Sequence, residues 1–166
     1  MSKSIQTDRL VLRRFRRADA LGITKLLGNL SVSRWLTRVP HPYFEHDAQQ
    51  FIDRHCDKDR ALAITLSDEI VGCCAIGNEL GYWIGQPFWG RGYVSEATFA
   101  MVTRYFHFAQ TDLKSSYILG NSGSAKVLRK LGFAPTTHDE AVCASLGRLV
   151  TLQRMSLSQE RWEARA

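Results

Sequence analysis

Residues 86–97 read QPFWGRGYVSEA: two glycines one residue apart, an arginine between them, and a run with helical spacing behind. Gly90 and Gly92 let the backbone take positive φ and come close to a ligand. The first turn of the helix that follows, with Tyr93, Val94 and Ser95, offers unpaired N–H groups backed by the helix dipole. Such a turn binds a diphosphate without needing a metal. Arg91 is placed to add a charge contact. The chemistry on offer is therefore recognition of a phosphate-bearing ligand.

Three classes of ligand compete for such a turn. A nucleoside-triphosphate loop requires Gly-Lys-Ser/Thr for the β/γ phosphates and magnesium, and no such tripeptide follows Gly92. A dinucleotide fingerprint would run Gly90-x-Gly92-x-x-Ser95 inside a parallel βαβ unit, with an acid ending the second strand. That strand here ends KSSYILGN, without an acid. The third class is an acyl-CoA loop. No metal is expected: Cys56, Cys73, Cys74 and Cys143 fit no ligand spacing, and adjacent strand residues point to opposite faces.

The elements that must position the turn can be read from periodicity and punctuation. Residues 9–15 alternate apolar and basic, a strand pattern. ALGITKLLGNL after Asp19 and HDAQQFIDRH have helical spacing, the second with Asp47 near its start. Residues 61–66, 70–76 and 79–84 are apolar runs separated by Ser67-Asp68-Glu69 and Gly77-Asn78, which predicts an antiparallel meander. The glycine turn and its helix come next, then a strand at 114–120. A helix over 121–131 follows, with Asn121 as its cap and Gly132 as its stop, and then strands near 134–144 and 148–157. The order predicts a mixed α/β (α+β) sheet, mostly antiparallel and flanked by helices, within a single domain over residues 1–166.

The 166 residues, 45% hydrophobic and 23% charged, are enough for one sizeable core. The absence of a long apolar run or a signal-peptide pattern leads to the expectation of a cytoplasmic protein with no membrane partner. A net charge of +6 suits a polyanionic partner, but the cations are scattered and no base-stacking motif is present, so direct nucleic-acid binding is not expected.

Three segments, taken together, resemble the GNAT N-acetyltransferase superfamily, and within it the branch of ribosomal-protein N-terminal alanine/serine acetyltransferases. LGYWIGQPFWGRGYVSEA (80–97) resembles that branch's Gly-Tyr-Trp strand, Trp-Gly-Lys/Arg-Gly-Tyr loop and Thr/Ser-Glu-Ala helix start. NSGSAKVLRKLGF (121–133) resembles its Asn-x-x-Ser…Val-Leu-x-Lys-Leu-Gly-Phe helix, and TDRLVLRRF (7–15) its opening strand. The superfamily loop pattern Gln/Arg-x-x-Gly-x-Gly/Ala falls on 89–94. Trp89 and Gly92 follow the branch, while Val94 departs from the small residue at the last position.

The resemblance implies acetyl-CoA as co-substrate, a primary amine on a protein N-terminus or small molecule as acceptor, and direct attack in a ternary complex. It implies a splay between the strands at 79–85 and 114–120, with one freed backbone N–H polarising the thioester. Trp83 and Ile84 would offer backbone bonds to the pantetheine arm, Trp89 through Ser95 would hold the pyrophosphate, and Asn121 would cap its helix and contact the cofactor amides. Glu79 is the implied general base, directly or through water, against a reading as a solvated hairpin residue. Many superfamily members carry a tyrosine acid where Leu128 stands here; the branch has a serine at Ser124, as an acid or in a positional role. The acceptor side is expected from 31–46, with Trp35, His41, Tyr43 and Phe44 (packing being their alternative use), and from a loop near 136–147. A homodimer is common in the branch. A second reading, motivated by Val94 and Leu128, is a catalytically weak acyl-CoA-binding or sensing module.

Overall fold

The computed structural model describes residues 4–57 and 59–165. The chain runs β1 (Ile5–Gln6), β2 (Val11–Arg13), α1 (Ala20–Leu27), α2 (Leu30–Ser33), α3 (Glu45–His55), β3 (Ala61–Leu66), β4 (Glu69–Ile76) and β5 (Glu79–Ile84). It continues with α4 (Tyr93–Phe108), β6 (Leu113–Ile118), α5 (Ser122–Lys130), β7 (Ala134–Cys143), β8 (Arg148–Leu157) and α6 (Gln159–Glu163). The strands form one eight-stranded sheet in the order β1-β2-β3-β4-β5-β6-β8-β7. Among the described strands, every neighbouring pair is antiparallel except β5–β6.

The expected meander over 61–84 is present. Its first turn is tighter than Ser67-Asp68-Glu69. Leu66 pairs with Glu69, and Ser67 and Asp68 make a two-residue turn with φ of 49° and 67°. Both residues at positive φ give the backbone twist that matches a hairpin's strands. The opening strand is also shorter than 9–15, covering Val11–Arg13. The first helical run breaks after Gly28, because the Asn29 side chain accepts the Ser31 N–H at 2.9 Å and caps a separate α2.

Strand alternation sorts the core into two layers. On one face Leu80 packs with Met101, Phe106 and Leu128 of α4 and α5, with Tyr82 and Ile84 partly buried beside them. On the other, Ala61, Ala63 and Cys73 pack with Ile23, Leu27 and Ile52 of α1 and α3, and Trp83 borders them. Coverage on both faces explains why β3 and β4 read as nearly unbroken apolar runs. The strand expected near 134–144 is present as β7, an exposed edge strand, so the 136–147 stretch also expected to supply an acceptor-side loop is mostly strand, with a turn only over 144–147.

Candidate active site

The site is built where β5 and β6 part. Their only register pairs are Glu79 with Lys114 and Leu80 with Ser115. At that fork the buried Ser115 hydroxyl donates to the Leu80 carbonyl at 2.8 Å. Beyond it the strands diverge around a cleft of ≈ 1420 Å³.

Backbone direction follows from the β4–β5 ladder. The Gly85 N–H donates to the Val71 carbonyl at 2.9 Å, and Cys73 is paired with Trp83. Antiparallel alternation then turns the peptide groups of Trp83 toward β4 and those of Tyr82 and Ile84 toward the cleft. The peptide groups of Trp83, expected to offer themselves to a pantetheine arm, are therefore turned away from the cleft, and those of Tyr82 and Ile84 line the open edge instead. The Ile84 carbonyl is held by the Trp89 indole N–H at 2.9 Å, which fastens the glycine turn to the strand before it.

The turn is formed as the residue types require. Gly90 has φ +72° and Gly92 φ +78°, the left-handed region in which a side chain is strained. Gly92 is the N-cap of α4, which begins at Tyr93, two residues ahead of the Ser-Glu-Ala start expected from sequence. No side chain caps it, so the first-turn N–H groups of Tyr93, Val94 and Ser95 face the cleft end without an internal acceptor. Val94 and Ser95 carbonyls accept from Thr98 Oγ1 at 2.7 and 3.2 Å.

Arg91 does not line the cleft, so its side chain takes no part in the site's wall. Its carbonyl is held instead by Arg9, whose Nη1 donates at 2.9 Å. Arg9 in turn pairs with Glu96 at 2.7 Å and lies 4.7 Å over the Tyr93 ring. Glu96 also accepts from the Thr7 hydroxyl at 2.6 Å and the Arg9 N–H at 2.9 Å. Burial pushes the Glu96 carboxyl up, but the Thr7 and Arg9 hydrogen bonds and the Arg9 charge outweigh it and hold it below its ordinary value.

At the start of α5, the Asn121 side chain accepts the Ser124 N–H at 3.1 Å, the cap expected from sequence. The Ser124 hydroxyl lies 2.8 Å from the Tyr82 hydroxyl. Burial pushes the Tyr82 phenol well up, against the Ser124 hydrogen bond, which lowers it, so the phenol stays protonated. Leu128 is fully buried among the apolar residues of α4 and β5, so no hydroxyl comes from that position.

Glu79 lies on the opposite face of the sheet from Tyr82, by alternation, and lines the same cleft. Its Oε1 accepts from Arg154 Nη1 at 2.8 Å, while Oε2 has only a 3.5 Å contact from the Ser116 hydroxyl. Arg154 reaches Asp139 as well, at 2.6 Å, and its hydrogen bond and charge hold that carboxyl below its ordinary value. The cleft thus passes through the sheet, with a carboxylate on one face and a hydroxyl pair on the other.

Comparison with known proteins decides the family. The description "Acetyltransferase (GNAT) domain" matches residues 9–134. The chain belongs to the GNAT acetyltransferase family. A curated relative, the uncharacterized N-acetyltransferase p20 of Bacillus licheniformis, is 24% identical over 93% of this chain and 96% of its own. Among solved structures, a microcin self-immunity acetyltransferase in complex with acetyl-CoA and AMP has TM-score 0.78 and 18% identity, covering 92% of this chain and 93% of its own. A Salmonella typhimurium acetyltransferase that modifies the N-terminal serine of a ribosomal subunit protein has TM-score 0.78 and 16% identity, covering 94% and 99%. The fold is the GNAT fold, and the protein is an acyltransferase.

Within this GNAT cleft, Glu79, Trp83, Ile84, Trp89, Gly90, Gly92, Tyr93, Val94, Ser95, Asn121 and Ser124 all meet; Arg91, expected at the cofactor, and His41, Tyr43 and Phe44, expected on the acceptor side, are not among the lining residues. Tyr82 and Arg154 were not foreseen. Trp35 lines the cleft, whereas Tyr43 is buried under α1 and α3, and Phe44 is exposed against His46 at 5.7 Å. Among the described residues no cysteine lines the cleft, and burial pushes Cys73 up to about 12, far from a thiolate nucleophile.

Proposed function

We propose that this chain is an acetyl-CoA-dependent N-acetyltransferase that moves the acetyl group to a primary amine by direct attack in a ternary complex. The observation that supports this reading most is the through-sheet cleft, with Glu79 on one face and the Tyr82–Ser124 pair on the other. Two substrates entering from opposite faces meet at the fork, and their proton donor and acceptor do not compete for space.

Acetyl-CoA would lie against the first turn of α4, its diphosphate on the N–H groups of residues 93–95 and its pantetheine along the free edge of β5. The Tyr82 N–H, just past the last β5–β6 pair, is in place to polarise the thioester carbonyl. Glu79 Oε2, directly or through a water, would take the proton from the ammonium. The neutral amine then forms the C–N bond, and the carbonyl oxygen takes up the negative charge. Collapse breaks the C–S bond and releases CoA thiolate, while the second proton on the now cationic nitrogen leaves to water. Serine is a weak acid, so Ser124, its hydroxyl oriented by Tyr82, would stabilise the thiolate by a hydrogen bond while water supplies the final proton.

A second reading, an acyl-CoA-binding module with little turnover, draws on the Glu79–Arg154 ion pair, which already occupies one carboxylate oxygen. Thiol release from acetyl-CoA over a panel of amines separates the two. Turnover with at least one amine, slowed in Glu79→Gln and Ser124→Ala, supports the transferase. Binding of acetyl-CoA without thiol release for any amine overturns it.

A further inference from the structure

We propose that the acceptor of this cleft is an amine followed, about 10 Å along its length, by a carboxylate or phosphate, and that Arg38 and Arg60 receive that anion. The proposal rests on the acetyltransferase reading above and specifies its acceptor.

Among the described residues, the charged side chains lining the cleft are Arg38, Arg60, Arg154 and Glu79, with His55 beside them. None of the arginines belongs to the glycine turn or to α5, where the cofactor phosphates are expected. Arg60 immediately precedes β3, and Arg38 lies just after α2. With the cofactor phosphates at the α4 turn, Arg38 and Arg60 would be left for a group other than CoA.

Pairing separates these arginines into two kinds. Arg154 is shared by Glu79 at 2.8 Å and Asp139 at 2.6 Å, which leaves that trio with one net negative charge. An ammonium group docked at Glu79 Oε2 restores balance. Arg38 and Arg60 are both exposed, and among the described residues neither has an ion-pair partner.

The ladder sets the spacing between them. The Ile76 N–H donates to the Arg60 carbonyl at 2.7 Å, and Ile76 pairs with Leu80, next to Glu79. The Arg60 and Glu79 backbones are thus two strand rows apart, or about 10 Å, and the side chains of both line the cleft. The Ala144 N–H donates to the Thr37 carbonyl at 2.9 Å, which fixes the segment carrying Arg38 against the end of the β7 strand. An extended peptide advances about 3.5 Å per residue, so a carboxylate on the third or fourth residue reaches this pair when the N-terminal amine is at Glu79. A polyamine or aminoglycoside would instead bring its further ammonium groups against two unpaired arginines.

The test uses the full chain with acetyl-CoA and two N-terminal hexapeptides, Ser-Ala-Asp-Glu-Ala-Ala and Ser-Ala-Lys-Lys-Ala-Ala, together with spermidine and an aminoalkyl phosphate. Two exposed ion pairs predict that kcat/KM favours the acidic peptide roughly tenfold at low salt, and less at 0.5 M salt. In the Arg38→Gln/Arg60→Gln variant that ratio should fall toward one. A higher rate with the aminoalkyl phosphate than with the acidic peptide assigns the same anion site to a small molecule. Preference for spermidine or the basic peptide, or a ratio that the double variant leaves unchanged, overturns the proposal. Anisotropy with C-terminally labelled peptides and acetyl-CoA-loaded protein reads the same preference without turnover. Tighter binding of the acidic peptide without thiol release would support the anion site while removing the transferase reading.

Discussion

The hydroxyl of Tyr82 on β5 stands 2.8 Å from the hydroxyl of Ser124 on α5, a bond thrown across the cleft between a strand and a helix 42 residues apart in sequence. Because the phenol keeps its proton, it can donate to Ser124 and leave the serine proton for a third partner. Removing Tyr82's hydroxyl should therefore lower kcat with little change in KM for acetyl-CoA. A lost hydrogen bond of about 1 kcal/mol corresponds to roughly fivefold. In Tyr82→Phe/Ser124→Ala the two losses should not add, since each variant removes the same contact. Steady-state kinetics of the three variants checks this; additive losses would mean that the hydroxyls act separately.

Glu79→Gln keeps the shape and the Arg154 contact but removes the proton acceptor. The expected loss in kcat/KM is about 10²–10⁴-fold, the range of general-base contributions. Arg154→Gln should instead act on acceptor KM, by freeing Glu79 and Asp139 from their shared partner. A pH–rate profile of Glu79→Gln that keeps the acid limb of the native enzyme would assign that limb to another group.

Gly92→Ala places a Cβ on a residue at φ +78°, at a cost of about 1–2 kcal/mol. The strain sits in the turn that presents the first N–H groups of α4. Both Tm and acetyl-CoA affinity should fall, the latter roughly tenfold. Calorimetric titration checks it, and unchanged affinity would place the diphosphate elsewhere.

The Glu96 carboxyl is held below its ordinary value in the folded chain, so its contribution to stability is present above the unfolded pKa of about 4 and lost as pH falls through the folded value. Glu96→Gln should therefore lower Tm near neutral pH and flatten its decline between about pH 5 and 3. Thermal melts across that range provide the test.

What could be read in the sequence divides by the range of the interactions. The glycine turn, the Asn121 cap and the three-strand meander depend on neighbours within a few residues, and all are in place. Glu79 and Ser124 are legible because they sit in motifs. Arg154 is not, because its meaning comes from a carboxylate 75 residues away, and Tyr82 reads in sequence as another aromatic of the β5 run. Choosing Tyr82 over Trp83 for the free backbone edge requires the hydrogen-bonding phase of β5, which one strand's composition does not contain. Arg91 stands outside the cleft lining for a related reason. Its turn is held by Arg9 from the other end of the chain, and that strap fixes the Arg91 carbonyl.

The fork at Ser115 has a mechanical consequence. Strands β1–β5 and β6–β8 are two blankets of hydrogen bonds joined edge to edge by two residue pairs and one serine hydroxyl. A ligand whose amides lie along the open edge of β5 would act as a missing strand and suture the halves together. Its binding free energy then enters the folding equilibrium directly, about 2.7 kcal/mol at a hundredfold excess over Kd. Hydrogen exchange should slow along β5 and β6 when acetyl-CoA is added, so the substrate would also serve as part of the scaffold.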